Sequence, residues 1–456
     1  MPTSLNLREE IAEAPFGRFH VKFAALMSLI MLFDGYELFN AAYVIPLVRS
    51  SWHPSPSMIG VMLSSGIVGL SIGAVVQGLI ADRIGRRTVM LLALWLLTGA
   101  SLLLATIVDS PVSFSVCRLL LGCALGMITP LALTCINEWA PRKQANTYAN
   151  WVFQFGFSMG GISAGIAGIW LTPHFGWQSL YYLGALSFLA AIAATLWLPE
   201  SLQFLALNHR DDEIAKILAQ MRPERARAYR GAYFEMPTEN APRGSIVALL
   251  APRYRRNTIV LWIVGFLGLF SIHGLTGWLP TLVVAQGQAV SSAFGYGTLV
   301  MVAAIFGSLF MGWIADRLGS RTRAMSIGYG IAALSMAGLA YFLGSANGVT
   351  LVLVAATGFF IFGAHAVLNN YQAMTYGTEV RSTGVGVAQA LSRVGGILGP
   401  LIVGWVASVE PSPVYTFMMF AGGLLLASIV VTFGGAALSS PAARANEPLQ
   451  AIDEPA

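Results

Sequence analysis

Two carboxylates stand where a chain should be apolar. Asp34 and Glu37 lie inside a hydrophobic run from about Phe23 to Val48. A charge held at the centre of a bilayer costs roughly 2.5–3.5 kcal/mol on insertion scales, so each is a functional candidate by default. Counted from Lys22 at about 1.5 Å per helical residue, Asp34 falls roughly 18 Å deep, near the midplane, with Glu37 about one turn further. Positions i and i+3 share a helix face, so both carboxylates are expected to point into one cavity. Two acids repelling each other in a poorly solvated place favour keeping a proton between them, as a proton-coupling site requires.

Other polar side chains fall at similar depth. Arg393 sits about eleven residues into a later apolar segment, also near the midplane, with Gln389 and Gly396 on its face. A buried guanidinium needs an anion, and its planar fork matches a carboxylate bidentately, whether a substrate's or an internal one. Arg118 lies roughly 9–10 Å below the far surface of another segment. His365, Asn369 and Gln372 recur at i, i+4 and i+7, one polar stripe on an apolar helix. Asn150 and Gln154 form a shorter one, and His273 shares a face with Phe266 and Phe270. Such stripes face a cavity or serve as interhelical glue worth about 0.6 kcal/mol per bond. Phe33, Tyr36, Phe39 and Tyr43 surround the acids, and an aromatic carboxylate would fit such walls.

What positions these groups is a membrane fold. The 456 residues are 56% hydrophobic and only 10% charged, with a mean hydropathy of +0.69. Soluble domains carry about 25% charged residues. Twelve apolar segments are long enough to span a bilayer: 22–48, 57–81, 88–107, 112–138, 147–172, 178–198, 257–285, 294–315, 323–343, 350–377, 382–407 and 413–435. The expected architecture is an all-α polytopic membrane protein with twelve transmembrane helices in two six-helix pseudo-repeats. Its parts are a tail (1–21), an N-terminal bundle (22–198), a polar central loop (199–256), a C-terminal bundle (257–435) and a second tail (436–456). Within the loop, Ile214, Ile217, Leu218 and Met221 recur at helical spacing, which predicts a short amphipathic helix at the membrane surface.

Of the 26 Lys and Arg, Arg118 and Arg393 lie deep in spans and Arg49 in an odd-numbered loop. The others fall in the tails, the even-numbered loops or the span ends beside them. The positive-inside rule then puts both termini and the central loop in the cytoplasm of a multi-pass plasma (inner) membrane protein. The net charge of +5 is thus a topology signal and gives no reason to expect nucleic acid. Glu9, Glu10 and Glu13 occupy the N-terminus where a signal peptide would be basic, so this stretch reads as a cytosolic lead-in.

The repeat is visible in loops. GLIADRIGRR (78–87) follows the second span and GWIADRLGSR (312–321) follows the eighth, with Asp82 and Asp316 half a chain apart. Its glycines allow a tight turn, and Asp82 and Asp316 can pair with Arg83, Arg86, Arg87, Arg317 and Arg321 or face a helix N-terminus. Such a contact can lock the cytoplasmic side and release it during rocking. Glu138 with Arg142, and Glu379 with Arg381, end the fourth and tenth spans and are expected as further gate pairs. Two repeated halves are a common transporter plan, with substrate bound between them at the midplane.

The G-x-x-A-D-R-x-G-R-R loop, its degenerate copy, Arg118-x-x-x-Gly122-x-x-x-Gly126 and LPES (198–201) resemble the major facilitator superfamily over essentially all of residues 20–435. DGYE in the first span and RSTGVGVAQALSRVGGILGP (381–400) resemble its aromatic acid:proton symporter family, which has D-G-x-D where this chain has Glu37. The resemblance implies the major facilitator fold and proton-coupled uptake of a small aromatic, benzoate- or hydroxybenzoate-like acid by a monomer. Asp34, Glu37 and Arg118 are then expected in proton coupling. Arg393, Asp34, Tyr36, His365, Asn369, Gln372, Gln154, Gln389 and His273 are expected at the substrate.

Proton-driven export and symport of another small organic acid are alternatives. GFSMGGISAG (156–165) lacks the proline that superfamily exporters often carry there. No catalytic constellation suggests an enzyme. GLSIG (69–73) and GFSMG (156–160) match G-x-S-x-G but fall within spans, where close helix packing explains them better than a nucleophile elbow. No Gly-Lys pair exists for a Walker A motif, no cofactor is implied, and Cys117, Cys123, Cys135 and the six histidines have no metal-ligand spacing.

Overall fold

The computed structural model describes residues 4–140, 151–235, 246–345, 348–377 and 380–434. Twelve long helices dominate it. The first bundle holds α1 (Arg18–Trp52), α2 (Pro56–Ile84), α3 (Arg86–Thr106), α4 (Pro111–Trp139), α5 (Gly156–Phe175) and α6 (Gln178–Trp197, broken at Leu186). The second holds α7 (Arg255–Ala285), α8 (Val290–Arg317), α9 (Arg321–Phe342), α10 (Gly348–Thr375), α11 (Arg381–Val409) and α12 (Pro413–Gly434). All but α1 and α5 are long and apolar enough to cross a bilayer by length and composition alone. Of the other two, α1 carries Asp34 and Glu37 in its middle, and α5 is rich in glycine.

Lipid offers no hydrophobic drive for helix association, so close approach through small residues must supply it. A Cβ on Gly122 of α4 would overlap the main-chain carbonyl of Gly66 on α2, and one on Gly126 would overlap that of Leu70. Gly69 and Gly73, from one of the G-x-S-x-G matches, press on the carbonyls of Leu119 and Cys123. Gly156 and Gly160, from the other, press on Ser28 and Leu32 of α1. The second bundle repeats the scheme. Gly307 and Gly358 bring α8 and α10 together, while Gly395 and Gly399 seat α11 on Phe266 and Phe270 of α7. The pairs α2–α4 and α1–α5 thus correspond to α8–α10 and α7–α11, so the repeat seen in the loops extends to the packing.

The bundles close on each other at the face away from the start of α1 and the end of α12. There a Cβ at Gly60 would lie 2.8 Å from the Pro400 carbonyl, and one at Gly404 would lie 2.6 Å from that of Pro56. Ser64 donates to the Ile397 carbonyl at 2.8 Å, and Tyr43 meets Phe294 edge-on with centroids 5.1 Å apart.

The other face carries the polar segments. The amphipathic helix forms at Asp211–Met221 and buries Ile214, Leu218 and Met221, as its spacing predicts. One arrangement there had no sequence signal: Ser4–Asn6 pairs in parallel with Tyr233–Glu235, so the N-terminal tail docks on the central loop. Buried Glu10 fastens it, accepting bonds from Arg222 and Arg225 at 3.0 Å each and from the Tyr229 hydroxyl at 2.7 Å. Burial, then the neighbouring Glu10, push the Tyr229 phenol above its ordinary pKa.

The glycine contacts lead to a paired test. Gly122→Ala places a methyl on the Gly66 backbone and should cost about 1–3 kcal/mol through overpacking, seen as a lower thermal midpoint in detergent. Gly99→Ala, where nothing lies within 4 Å, should be neutral or stabilising. Equal midpoints for the two variants would contradict this packing.

Candidate functional site

A cavity of about 230 Å³ lies between the bundles. The first bundle lines it with Asp34 and Phe39 of α1, Thr129 of α4, and Gln154, Phe157 and Ser158 around the start of α5. The second contributes His273 of α7, Met301 and Ser308 of α8, Phe362, His365 and Asn369 of α10, and Arg393 of α11. Polar groups therefore converge from both halves on a largely apolar, aromatic wall.

Asp34 and Arg393 are its two charged groups. The Thr129 hydroxyl donates to the Asp34 carboxylate at 3.2 Å. Thr129 was not singled out in the sequence, although it lies eleven residues beyond Arg118 and so on nearly the same face of α4. Arg393 has no carboxylate partner and no hydrogen bond among the described residues, and both its i−4 and i+3 neighbours shape the site. Gly396 leaves room for the His273 ring, whose Cδ2 would lie 2.8 Å from any Cβ there. Gln389 donates to Asn369 and to Gln372 at 2.9 Å each, bridging α11 and α10 one turn from Arg393. On the first bundle's side, Gln154 lies in a single π turn (Trp151–Phe155) ahead of α5 and donates to Ser158 at 3.2 Å.

Several expected ligands lie elsewhere. Glu37 does not share the cavity with Asp34. Three helical residues leave about 60° between them, and in a crowded wall that angle sends the second carboxylate inward. Glu37 takes the Ser101 hydroxyl of α3 at 2.6 Å and fits against Gly184 of α6, whose missing Cβ makes the space. Its other oxygen is buried without a hydrogen bond. Tyr36 is likewise internal: its hydroxyl donates to the Leu180 carbonyl of α6 at 2.7 Å, which fixes the ring as packing inside the bundle. Neither Gln372, which is buried, nor Gln389 lines the cavity; Gln389 links Gln372 to Asn369, which does. Arg118 does not snorkel outward. It is buried and donates to the Glu37 main-chain carbonyl at 2.8 Å, beside a small void of about 30 Å³ that it shares with His273. Ser101 gave no signal in the sequence, being one small hydroxyl in an apolar helix.

The loop charges bind within each half. Arg86 pairs with Glu138 at 2.7 Å, and Glu138 also accepts Ser201 at 2.8 Å. Arg87 donates to the Leu198 and Thr195 carbonyls at 2.8 and 2.7 Å. Asp316 lies 4.0 Å from Arg321, Arg317 stacks over Trp313, and Arg381 donates to the Tyr376 carbonyl at 3.3 Å. Asp82 and Arg83 are exposed. Among the described residues none of these contacts joins one bundle to the other; each fastens a single bundle. The far face is closed in this structure, and closure of this one is not required at the same time. Arg142 and Glu379, expected partners in two pairs, lie outside the described residues, as does Asn150.

Comparison with known proteins places this geometry in a family. The Major Facilitator Superfamily model matches residues 26–308 and 292–452. The chain is 34% identical over 409 residues to the gallate transporter of Pseudomonas putida, covering 89% of each. It is 30% identical to the 4-hydroxybenzoate transporter PcaK of Pseudomonas putida, covering 94% of this chain and 95% of that one. The inward open structure of the xylose transporter XylE from E. coli superposes with a TM-score of 0.71 at 14% identity, over 92% of this chain and 98% of that one, which shows the shared fold. With the model match spanning both bundles, the chain belongs to the major facilitator superfamily.

Proposed function

We propose that this chain is a proton-coupled symporter that takes up a small aromatic carboxylate by alternating access. The observation that carries the reading is Arg393: a guanidinium facing a cavity between two bundles, with no carboxylate within ion-pair distance among the described residues. A carboxylate substrate supplies that anion in bidentate geometry. The volume of about 230 Å³ lies below the roughly 300–1,000 Å³ of sites for drug-sized ligands, so it suits one ring. Phe39, Phe157 and Phe362 give flat apolar walls, and His365 and Asn369 give hydrogen bonds for ring hydroxyls. The relatives named above carry gallate and 4-hydroxybenzoate, both ring acids with hydroxyls.

In this reading Asp34 carries the proton and also lines the substrate's cavity. Glu37 and Arg118 act behind it: Arg118 grips the α1 backbone at Glu37, so a change at either shifts the helix that bears Asp34. His273 and Gln154 shape the cavity, and Gln389 and Gln372 hold α10 against α11. The face where α1 begins is cytoplasmic by the positive-inside rule, in a bacterial-type inner membrane, and a monomer suffices because one chain contributes the whole cavity.

Uptake into proteoliposomes should then rise with an inward proton gradient and collapse with a protonophore; equal uptake with and without the gradient removes the symport claim. Asp34→Asn should abolish gradient-driven accumulation while counterflow exchange, which need not cycle the proton, persists. An Asn variant that still accumulates substrate would refute the role of Asp34.

The anchor is tested separately by calorimetry on an acid and its neutral amide, for example hydroxybenzoate and hydroxybenzamide. Arg393→Lys keeps the charge and loses the fork, and should weaken the acid by about 1.5–3 kcal/mol, or about 10- to 150-fold. The amide, already weak, should change little. A parallel loss for both ligands means that Arg393 is structural.

A further inference from the structure

A larger hollow, of about 840 Å³, opens at the face where α1 begins. It lies between the first turns of α1 and α3, the end of α6 and the helix Asp211–Met221, and transport as proposed above does not use it. Five cations and two carboxylates line it. Both carboxylates are engaged. Glu200 accepts the main-chain N–H groups of Arg87 and Ser201 at 3.0 and 2.9 Å, and Glu213 pairs with Arg210 at 2.6 Å. The Arg87 guanidinium is held by the two carbonyls already described. Arg18, Lys22 and Lys216 remain, exposed and without a carboxylate partner among the described residues.

Apart from Thr88 and Gln220 the rest of the wall is apolar, with buried Phe23 and Leu26 in it. At its rim Leu196 and Trp197 are 70% and 68% exposed at the end of α6, a helix long and apolar enough to cross a bilayer. Three free cations beside a greasy wall, at headgroup level and open toward the bilayer, match a molecule with an anionic head and a hydrocarbon tail. A soluble anion would use the cations and leave the apolar rim idle. We propose that this hollow binds the headgroup of an anionic phospholipid, with its phosphate among Arg18, Lys22 and Lys216 and its acyl chain descending past Trp197. A lipid there would link the first turn of α1, the helix that bears Asp34, to the central loop.

The test uses the full chain in detergent and measures lipid binding by native mass spectrometry, with thermal midpoints alongside. The probes are phosphatidylglycerol, phosphatidylcholine with the same acyl chains, and inorganic phosphate. Wild type should bind and be stabilised by phosphatidylglycerol more than by the other two. The triple variant Arg18→Gln/Lys22→Gln/Lys216→Gln should lose about fivefold in affinity per cation, on the order of 100-fold together. A control triple at exposed cations elsewhere, Arg227→Gln/Arg230→Gln/Arg323→Gln, removes the same charge and should change little. All six positions are exposed, so both variants should fold. Equal losses in the two triples, equal binding of phosphatidylcholine, or equal stabilisation by inorganic phosphate would each overturn the lipid assignment.

Discussion

The constraint on which the molecule depends is the cost of holding charge inside a bilayer. Four charged side chains lie deep within the spans, and each is dealt with differently. Glu37 is bonded by Ser101 and Arg118 by a main-chain carbonyl, both inside the first bundle. Those two partners are neutral groups, and each charge keeps one further atom buried without a hydrogen bond. Asp34 has one hydroxyl from Thr129, and Arg393 has no bond among the described residues. Glu37 and Arg118 each hold one short bond inside a bundle, whereas Asp34 and Arg393 lie at the boundary between bundles with one hydroxyl between them. Interior charges fix a helix; boundary charges are left for something that comes and goes.

The closed face obeys the opposite rule. Gly60, Gly404, Ser64 and Tyr43 join the bundles through backbone approach, one hydroxyl bond and an aromatic edge. Among the described residues no ion pair crosses between the halves. Separating desolvated opposite charges would cost several kcal/mol per pair, whereas parting small residues costs dispersion alone, individually tiny per contact. A seal built this way is complementary in shape and cheap to open. Ion pairs such as Arg86–Glu138 keep each bundle rigid while it moves.

Much of this was legible in the chain. Span count, half-chain repeat, the amphipathic helix and the convergence of Asp34, His365, Asn369 and Arg393 all follow from hydropathy, spacing and depth, which are one-dimensional signals. The direction of a side chain around its helix is not such a signal at 60° resolution. That is why Glu37 and Tyr36 were expected at the cavity and belong instead to the interior beside Ser101 and Leu180. Thr129 and Ser101 escaped notice because a lone hydroxyl in an apolar helix bonds its own backbone as readily as a partner, and in each case here a helix carbonyl at 3.0 Å competes with the carboxylate for the one hydroxyl proton. The pairing of Ser4–Asn6 with Tyr233–Glu235 joins segments more than 200 residues apart through backbone groups, which leave no trace in side-chain pattern.

The placement of Asp34 and Arg393 in one small cavity also gives the proposed coupling a physical cause. A carboxylate anchored on Arg393 lies in the same 230 Å³ space as the Asp34 carboxylate. Like charges at such range, walled by Phe39, Phe157 and Phe362, repel strongly, because little water screens them. Anion binding therefore favours the protonated state of Asp34, and protonation of Asp34 favours anion binding by the same factor, since linkage is reciprocal. In the proposed reading no moving relay between two separate sites is needed: one cavity that cannot comfortably hold two negative charges would make substrate and proton travel together. Placing the cation on one bundle and the acid on the other adds a further consequence. In the proposed reading the boundary between the bundles carries no net charge when the cavity is empty or when anion and proton are both present, and carries one unit when only one of them is bound, so closing over a half-loaded cavity is the costly step.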